Sequence, residues 1–232
     1  MNLFYQPEIS NGTLHLDSEE SRHAVKVFRY KNGDEINVTD GLGSFYTATL
    51  VDANSKKCSF KIIDKVNSTT NSFYIHIAIA PTKNIDRLEW FIEKAIEIGV
   101  DEISLIICSN SERKIVKTER LQKKAISAMK QSLKSTLPKI NEQQSFKNFV
   151  KGVQHIEKYI AYVDFKNSDL LKNIALANSN YCLCIGPEGD FSTEELQLAI
   201  NADFKKVSLG NSRLRTETAG IVGCNILNLI NE

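Results

Sequence analysis

Residues 181–219 read YCLCIGPEGDFSTEELQLAINADFKKVSLGNSRLRTETA. Two strand-like runs, Tyr181–Ile185 and Lys206–Leu209, each stop at a glycine. Each is followed by a tight polar turn that opens a helix. In parallel α/β sheets, ligands bind beyond the carboxyl ends of the strands, where such turns lie. Two turns of this kind in the last quarter of the chain are read as two walls of one pocket. Gly186 and Gly189 let a ligand approach the main chain closely, and Pro187 stiffens the turn between them. Ser192 is a helix cap, completed as a capping box by Glu195. In the second turn Arg213, Arg215, Glu217 and Thr218 crowd into six positions before an apolar helix.

Outward from this stretch, the chain from Phe73 alternates strands and helices. Phe73–Ala80 is expected as a strand, and Ile85–Ile98 as a helix with Leu88, Phe91, Ile92, Ala95 and Ile96 on one face and Gly99 at its end. Glu102–Cys108 is the next strand. A long basic helix is expected over Thr118–Ser135, stopping before Pro138. Lys158–Phe165 reads as a strand and Asp169–Ala177 as a helix. Strands separated by helices argue an α/β fold, a parallel sheet with helices on both faces. The last helix, Glu217–Ile230, is apolar around most of its circumference, so it is buried on nearly all sides. Ala219, Gly220 and Gly223 give it a small-residue face, which suits either a close core contact or a dimer interface.

The first 66 residues differ. Leu3–Tyr5, Thr13–Leu16, Glu35–Thr39, Phe45–Val51 and Cys58–Ile63 are short, β-branched and aromatic, and separated by turns such as Asn32-Gly33 and Asp40-Gly41. This spacing predicts a small β-barrel. One helix interrupts it, capped by Asp17 or Ser18 and running to about Phe28. Arg22, Lys26 and Arg29 fall at i, i+4 and i+7, a basic stripe if the helix is continuous. Residues 67–72, Asn-Ser-Thr-Thr-Asn-Ser, read as a linker. The expected domains are therefore 1–68, a small β-barrel, and 73–232, the α/β domain.

The chain has 232 residues, 42% hydrophobic and 25% charged, with a net charge of +1. That is an ordinary globular composition. The charge is unevenly spread. Residues 111–140 hold nine of the 29 Lys and Arg and two of the 28 Asp and Glu, which leaves 20 against 26 elsewhere. A basic island on a slightly acidic body suits a polyanion bound at one place. Arg113, Arg120, Lys124 and Lys134 are its candidate phosphate partners, with a solvated helix face as the plainer alternative. The five cysteines are Cys58, Cys108, Cys182, Cys184 and Cys224, and they show no paired Cys/His spacing of a zinc site, so no metal is expected. Cys182 and Cys184 sit two apart in a strand and should face one side as small apolar groups. No signal segment and no apolar run of about 18 residues is present. A reduced, cytoplasmic protein without a membrane partner is expected.

The pair G-P-E-G-(G/D)-F-S and L-G-x-x-x-L-R-T-E-T-A resembles the signature of the bacterial 16S ribosomal RNA uridine-N3 methyltransferases, members of the SPOUT class. The likeness extends to R-H-A-V-K-V-F-R in the first half and to Lys83, Arg87, Lys94, Glu97, Gly99, Ser111, Arg113, Gln131 and Pro138 in the second. Two positions depart from the pattern. The family usually has glycine where Asp190 stands, and arginine-isoleucine where Ser212-Arg213 stand.

The resemblance implies a C-terminal trefoil knot, a PUA-like first domain, and a homodimer with its active sites between subunits. It also implies S-adenosylmethionine as cofactor and N3 of a uridine in 16S ribosomal RNA of the small ribosomal subunit as methyl acceptor. The cofactor residues would be Leu183, Ile185, Gly186, Pro187, Glu188, Gly189, Leu209, Gly210, Ser212, Leu214 and Thr218. Arg215 would stabilise negative charge on the uracil oxygens. Glu217 would be a base or would orient Arg215, unless the two form a structural ion pair at the helix start. Thr216 would serve only as the cap of that helix. Arg22, Lys26, Arg29, Lys83, Arg87, Arg113, Arg120, Lys124 and Lys134 would contact RNA. Two alternatives remain open at this point: a SPOUT enzyme acting on another RNA position or on ribose 2′-oxygen, and a non-catalytic RNA-binding assembly factor.

Overall fold

A computed structural model describes residues 2–69, 71–164 and 169–232. The chain divides into two compact units, Met1–Thr70 with Ile126–Leu137, and Asn71–Ala125 with Pro138–Glu232.

The first unit is built on a four-stranded sheet in the order β1 (Leu3–Tyr5), β2 (Glu35–Thr39), β3 (Ser44–Asp52), β4 (Ser59–Asn67). β1 runs parallel to β2, and the other pairs are antiparallel. Along β3 every second residue is buried, from Ser44 through Tyr46 and Ala48 to Leu50. This two-residue period puts one face on a core of Phe4, Ile36, Val38 and Phe60. The expected strand Thr13–Leu16 supplies only a bridge, His15 to Ser59. Asp17 caps α1 (Ser18–Arg22) by accepting the amide of Glu20 at 2.8 Å. From His23 to Val27 the helix widens to π geometry, closed by Phe28 N–H to the His23 carbonyl. Arg29 lies past its end at φ 60°. The regular basic stripe expected of one continuous α-helix is therefore interrupted, although Arg22, Lys26 and Arg29 are all exposed.

Residues 126–137 join this unit through hydrogen bonds to their main chain. The Ser135 carbonyl accepts from the Thr39 hydroxyl and the Gly43 amide, both at 3.0 Å, and the Leu137 amide donates to Gly41 at 2.8 Å.

The second unit is a six-stranded, wholly parallel sheet in the order β10-β8-β9-β5-β6-β7. Its elements are β5 (Tyr74–Ile79), α2 (Ile85–Ile98), β6 (Glu102–Ile107), the first part of α3 (Thr118–Gln131, whose residues from Ile126 on belong to the first unit), β7 (Lys139–Ser145), α4 (Phe146–Gly152), β8 (Glu157–Ala161), α5 (Leu171–Ile174), β9 (Asn180–Ile185), α6 (Thr193–Ile200), β10 (Lys205–Val207) and α7 (Thr216–Leu229). α2 buries Leu88, Phe91, Ile92, Ala95 and Ile96, as its spacing predicts. Its Gly99 cap has φ 132° and returns its N–H to Ala95. α2 and α7 pack together on one face of the sheet, and α4 and α6 lie together on the other. Cys182 and Cys184 both enter the core beneath α4 and α6, with Phe146, Phe149 and Phe204. All five cysteines are buried.

Several elements differ from the expectation. The basic helix ends at Gln131, not Ser135, because Leu133 takes a left-handed φ of 54°. β8 stops at Ala161, and Phe165 lies outside the described residues. The helix expected over Asp169–Ala177 is one turn, Leu171–Ile174. β7 and α4 were not anticipated. β7 is an edge strand of sequence KINEQQS with no fully buried residue, so it lacks the apolar alternation that marks a strand.

Candidate functional site

The carboxyl ends of β8, β9 and β10 open on one cavity of about 710 Å³. Its walls are Ala161–Asp164, Ile185–Asp190 and Val207–Thr216, closed by Ala219 of α7. β9 and β10 are not neighbours, because β8 lies between them. The two glycine turns thus form opposite sides, and the segment after β8 is a third wall between them.

The first turn is held from outside by neighbouring loops. The side chain of Asn110 donates to the carbonyls of Gly189 and Asp190, both at 3.0 Å. Glu188 accepts the Lys83 amide at 3.0 Å. Ser192 and Glu195 form the expected capping box at the start of α6, and Glu195 also takes the Ser109 amide at 2.8 Å. Asp190 sits at φ 60°. Its carboxylate accepts from the Phe191 amide at 2.8 Å and the Val163 amide at 3.1 Å, joining the turn to the third wall. Burial raises its pKa, opposed by those two amides and by the charge of Arg213.

A Cβ on Gly186 would sit 3.0 Å from the Phe191 ring, a tight contact that the ring could accommodate only by shifting. At Gly210, φ is 139° and the space around a Cβ is open, so backbone conformation alone calls for glycine. The two turns are tied by the Thr216 hydroxyl, which donates to the Gly186 carbonyl at 3.0 Å.

Arg215 is the N-cap residue of α7, exposed, on the cavity rim, with no side-chain cap bond. Glu217 lies two residues further on, in the first turn of α7, and is 5% exposed. Its Oε1 is 3.8 Å from Nε of Arg87 on α2, while its Oε2 is buried without a partner. Of the expected cofactor residues, Ile185, Gly186, Pro187, Glu188, Gly189, Leu209, Gly210, Ser212 and Leu214 line the cavity. Leu183 is buried in β9 against α7, and Thr218 is half-buried in α7. Tyr162, Val163 and Asp164 line it too and were missed, because their contribution depends on strand order.

The chain matches the model of an RNA methyltransferase domain over residues 69–228 and that of an RNA methyltransferase PUA domain over residues 16–63. It is 33% identical over 206 residues to ribosomal RNA small subunit methyltransferase E of Mesomycoplasma hyopneumoniae, with 85% of this chain and 86% of that protein covered. The chain belongs to the ribosomal RNA small subunit methyltransferase E family. The member from Rickettsia conorii is 28% identical over 91% of this chain and 87% of its own length. A probable rRNA-methyltransferase from Porphyromonas gingivalis superposes with a TM-score of 0.93 at 39% identity, covering 100% of this chain and 98% of that one. The Neisseria gonorrhoeae methyltransferase E, solved bound to S-adenosyl methionine, gives 0.87 at 26% identity, with the same coverage.

Within this family framework, the basic residues of the second unit are largely engaged. Arg113 donates to the carbonyls of Thr82 and Lys83, clasping the loop before α2. Arg120 pairs with Glu89 and Asp86, and Lys124 with Glu93 at 3.1 Å, all on α2. Lys83 pairs with Glu112 at 2.8 Å. The basic island is thus partly matched by acidic side chains of α2. Among the described residues, no helix is long and apolar enough to cross a membrane.

Proposed function

We propose that this chain transfers a methyl group from S-adenosylmethionine to N3 of a uridine in 16S ribosomal RNA, acting in the cytoplasm as a homodimer. The observation that carries this reading is the cavity at the ends of β8, β9 and β10 with Arg215 on its rim, in a chain of this family. The cavity suits the cofactor. Its volume of about 710 Å³ is that of a small-molecule site. Ile185, Val207, Leu209, Leu214 and Ala219 offer an apolar wall for an adenine, beside main-chain groups of the two glycine turns. Leu183 and Thr218 would support these turns from behind, and Ser212 and Glu188 would face polar parts of the ligand.

S-adenosylmethionine brings a methyl group already activated by its sulfonium charge. The chain's own residues have two tasks. They hold donor and acceptor in line, a proximity effect, and they favour loss of the N3 proton. The exposed guanidinium of Arg215 would stabilise the negative charge that develops on the uracil oxygens. Glu217, buried and paired with Arg87, acts by fixing that arginine toward the RNA. Arg22, Lys26, Arg29, Lys83, Arg113, Arg120, Lys124 and Lys134 would meet phosphates, which positions RNA without reading sequence. The division of labour follows a PUA-like RNA-binding domain at 1–68 and a catalytic domain at 73–232, the latter with the trefoil knot of its class.

Small ribosomal subunits lacking the modification would be incubated with the protein and S-adenosylmethionine, digested, and analysed by nucleoside mass spectrometry. The expected product is 3-methyluridine, formed about 10²–10³-fold more slowly by Arg215→Ala, the cost typical of losing one charge-stabilising group. A ribose-methylated nucleoside would overturn the position assigned. Absence of both product and cofactor binding would overturn the enzymatic reading.

A further inference from the structure

A second cavity, of about 500 Å³, lies at the opposite end of the sheet, where β5, β6 and β7 begin. It is polar. At its base three side chains converge that are distant in sequence: His76 of β5, Glu102 of β6 and His155 from the loop before β8. Their ligand-type atoms all lie within 4.8 Å of one another. His76 Nδ1 is 3.0 Å from His155 Nε2 and 3.9 Å from Glu102 Oε2. Around a tetrahedral zinc ion with bonds of about 2.0–2.1 Å, donor atoms stand about 3.3 Å apart. The 3.0 Å and 3.9 Å separations lie on either side of this value.

We propose that His76, Glu102 and His155 form a binding site for one divalent transition-metal ion of the zinc type, separate from the methyl-transfer cavity.

The surroundings are those of a supported ligand set. The second ring nitrogen of His76, Nε2, is 2.8 Å from the Ser104 hydroxyl, which in turn accepts from Asn141 at 2.8 Å. With Nε2–H donating to Ser104, the Nδ1 lone pair faces the other donors. Glu102 is fixed at both oxygens: Oε1 accepts from Lys139 at 3.0 Å and from Asn141, and Oε2 from the Tyr74 hydroxyl at 2.9 Å. The His155 ring is stacked on Tyr74, with centroids 6.0 Å apart and planes at 17°. Such outer contacts orient metal ligands and commonly change affinity 10–100-fold.

The donor set selects the ion. Two imidazole nitrogens and one carboxylate oxygen suit zinc, cobalt or nickel, whereas calcium and magnesium demand mostly oxygen. The open cavity leaves a coordination position for water. One feature opposes binding. The Lys139 ammonium sits on Glu102 Oε1, but it is 66% exposed and free to swing into solvent. No net proton is released by ion binding. The His155 proton now shared with His76 Nδ1 moves to its own Nδ1. The ion would staple the loop before β8 to β5 and β6.

The test uses the full chain, stripped with EDTA and titrated with Zn²⁺, Co²⁺ or Mg²⁺ by calorimetry and absorption spectroscopy. We expect one Zn²⁺ per chain, a rise in Tm, visible Co²⁺ bands of a low-symmetry nitrogen and oxygen site without thiolate charge transfer, and no Mg²⁺ effect. His155→Ala, in a loop and therefore compatible with folding, should weaken Zn²⁺ by more than about 100-fold, and Ser104→Ala by about tenfold. No saturable binding near one equivalent would overturn the proposal. So would binding unchanged in a folded His155→Ala variant, or a thiolate signature pointing to the cysteines.

Discussion

Thr216 donates its hydroxyl to the Gly186 carbonyl at 3.0 Å, and this one bond joins the two glycine turns that face each other across the cavity at the ends of β8, β9 and β10. Thr216 is 5% exposed, so a carbonyl deprived of it would find no water in exchange. Thr216→Val keeps the shape and removes the donor. Leaving a buried acceptor unpaired costs about 1–3 kcal/mol. We expect a fall of that size in urea denaturation, together with weaker S-adenosylmethionine binding by calorimetry. Thr216→Ser should restore both. Parent-like cofactor affinity in the valine variant would show that the tie does not shape the cavity.

A second prediction concerns how closely α7 approaches the sheet. Alanine normally stabilises a helix by about 1 kcal/mol relative to glycine. At Gly220 a Cβ would stand 2.5 Å from Cε2 of Phe91 and 3.1 Å from Cδ1 of Ile79. Overpacking of this kind costs about 1–3 kcal/mol. Gly220→Ala should therefore lower the urea midpoint. Phe91→Leu added to it should cost less than in the parent, because the two sites share one space. Gly152→Ala, at the end of α4 with nothing within 4 Å, serves as the control and should be neutral or stabilising.

Asp190 gives a pH-dependent prediction. A carboxyl with a higher pKa folded than unfolded holds its proton more tightly in the fold. Its contribution to stability is complete below the unfolded value of 3.8 and is lost as pH rises through the raised folded value. Asn at this position does not titrate. The stability difference between parent and Asp190→Asn should thus favour the parent most below pH 3.8 and shift toward the variant through the window above it. Thermal unfolding of both from pH 3.5 to 7 measures this. A difference that stays flat would show that Asp190 titrates alike in both states.

These sites differ in how far they could be read from the chain. The apolar stripe of α2, the Gly99 cap, the Ser192–Glu195 capping box and the two glycine turns are local patterns, and periodicity and caps reveal them. Cys182 and Cys184 could be placed on one face because strand alternation is local too. β7 was hidden because an edge strand with half-exposed polar residues carries no apolar period. The wall formed by Tyr162–Asp164 was hidden because it depends on β8 lying between β9 and β10. His76 and His155 stand 79 positions apart, so no spacing rule for metal ligands finds them. Joining residues 126–137 to the first unit likewise rests on long-range bonds such as Ser135 with Thr39.

The pair of Arg87 and Glu217 permits the last prediction. Glu217 is buried to 7% side-chain exposure and Arg87 remains 42% exposed, with 3.8 Å between Nε and Oε1. If Glu217 serves to aim Arg87 at the RNA, the two variants Glu217→Gln and Arg87→Ala should behave alike, raising KM for the RNA while kcat changes less. The double variant should then be no worse than either single one, since both remove the same interaction. A carboxylate acting directly as proton acceptor would behave otherwise, since losing a general base costs about 10²–10⁴ in rate. In that case Glu217→Gln would lose kcat while Arg87→Ala kept it. Stability should follow the pairing as well. Arg87→Ala leaves a carboxylate buried without its partner, at a cost of about 1–3 kcal/mol, and adding Glu217→Gln should recover part of that loss. Steady-state kinetics and urea denaturation on the four proteins of the cycle decide between these two roles.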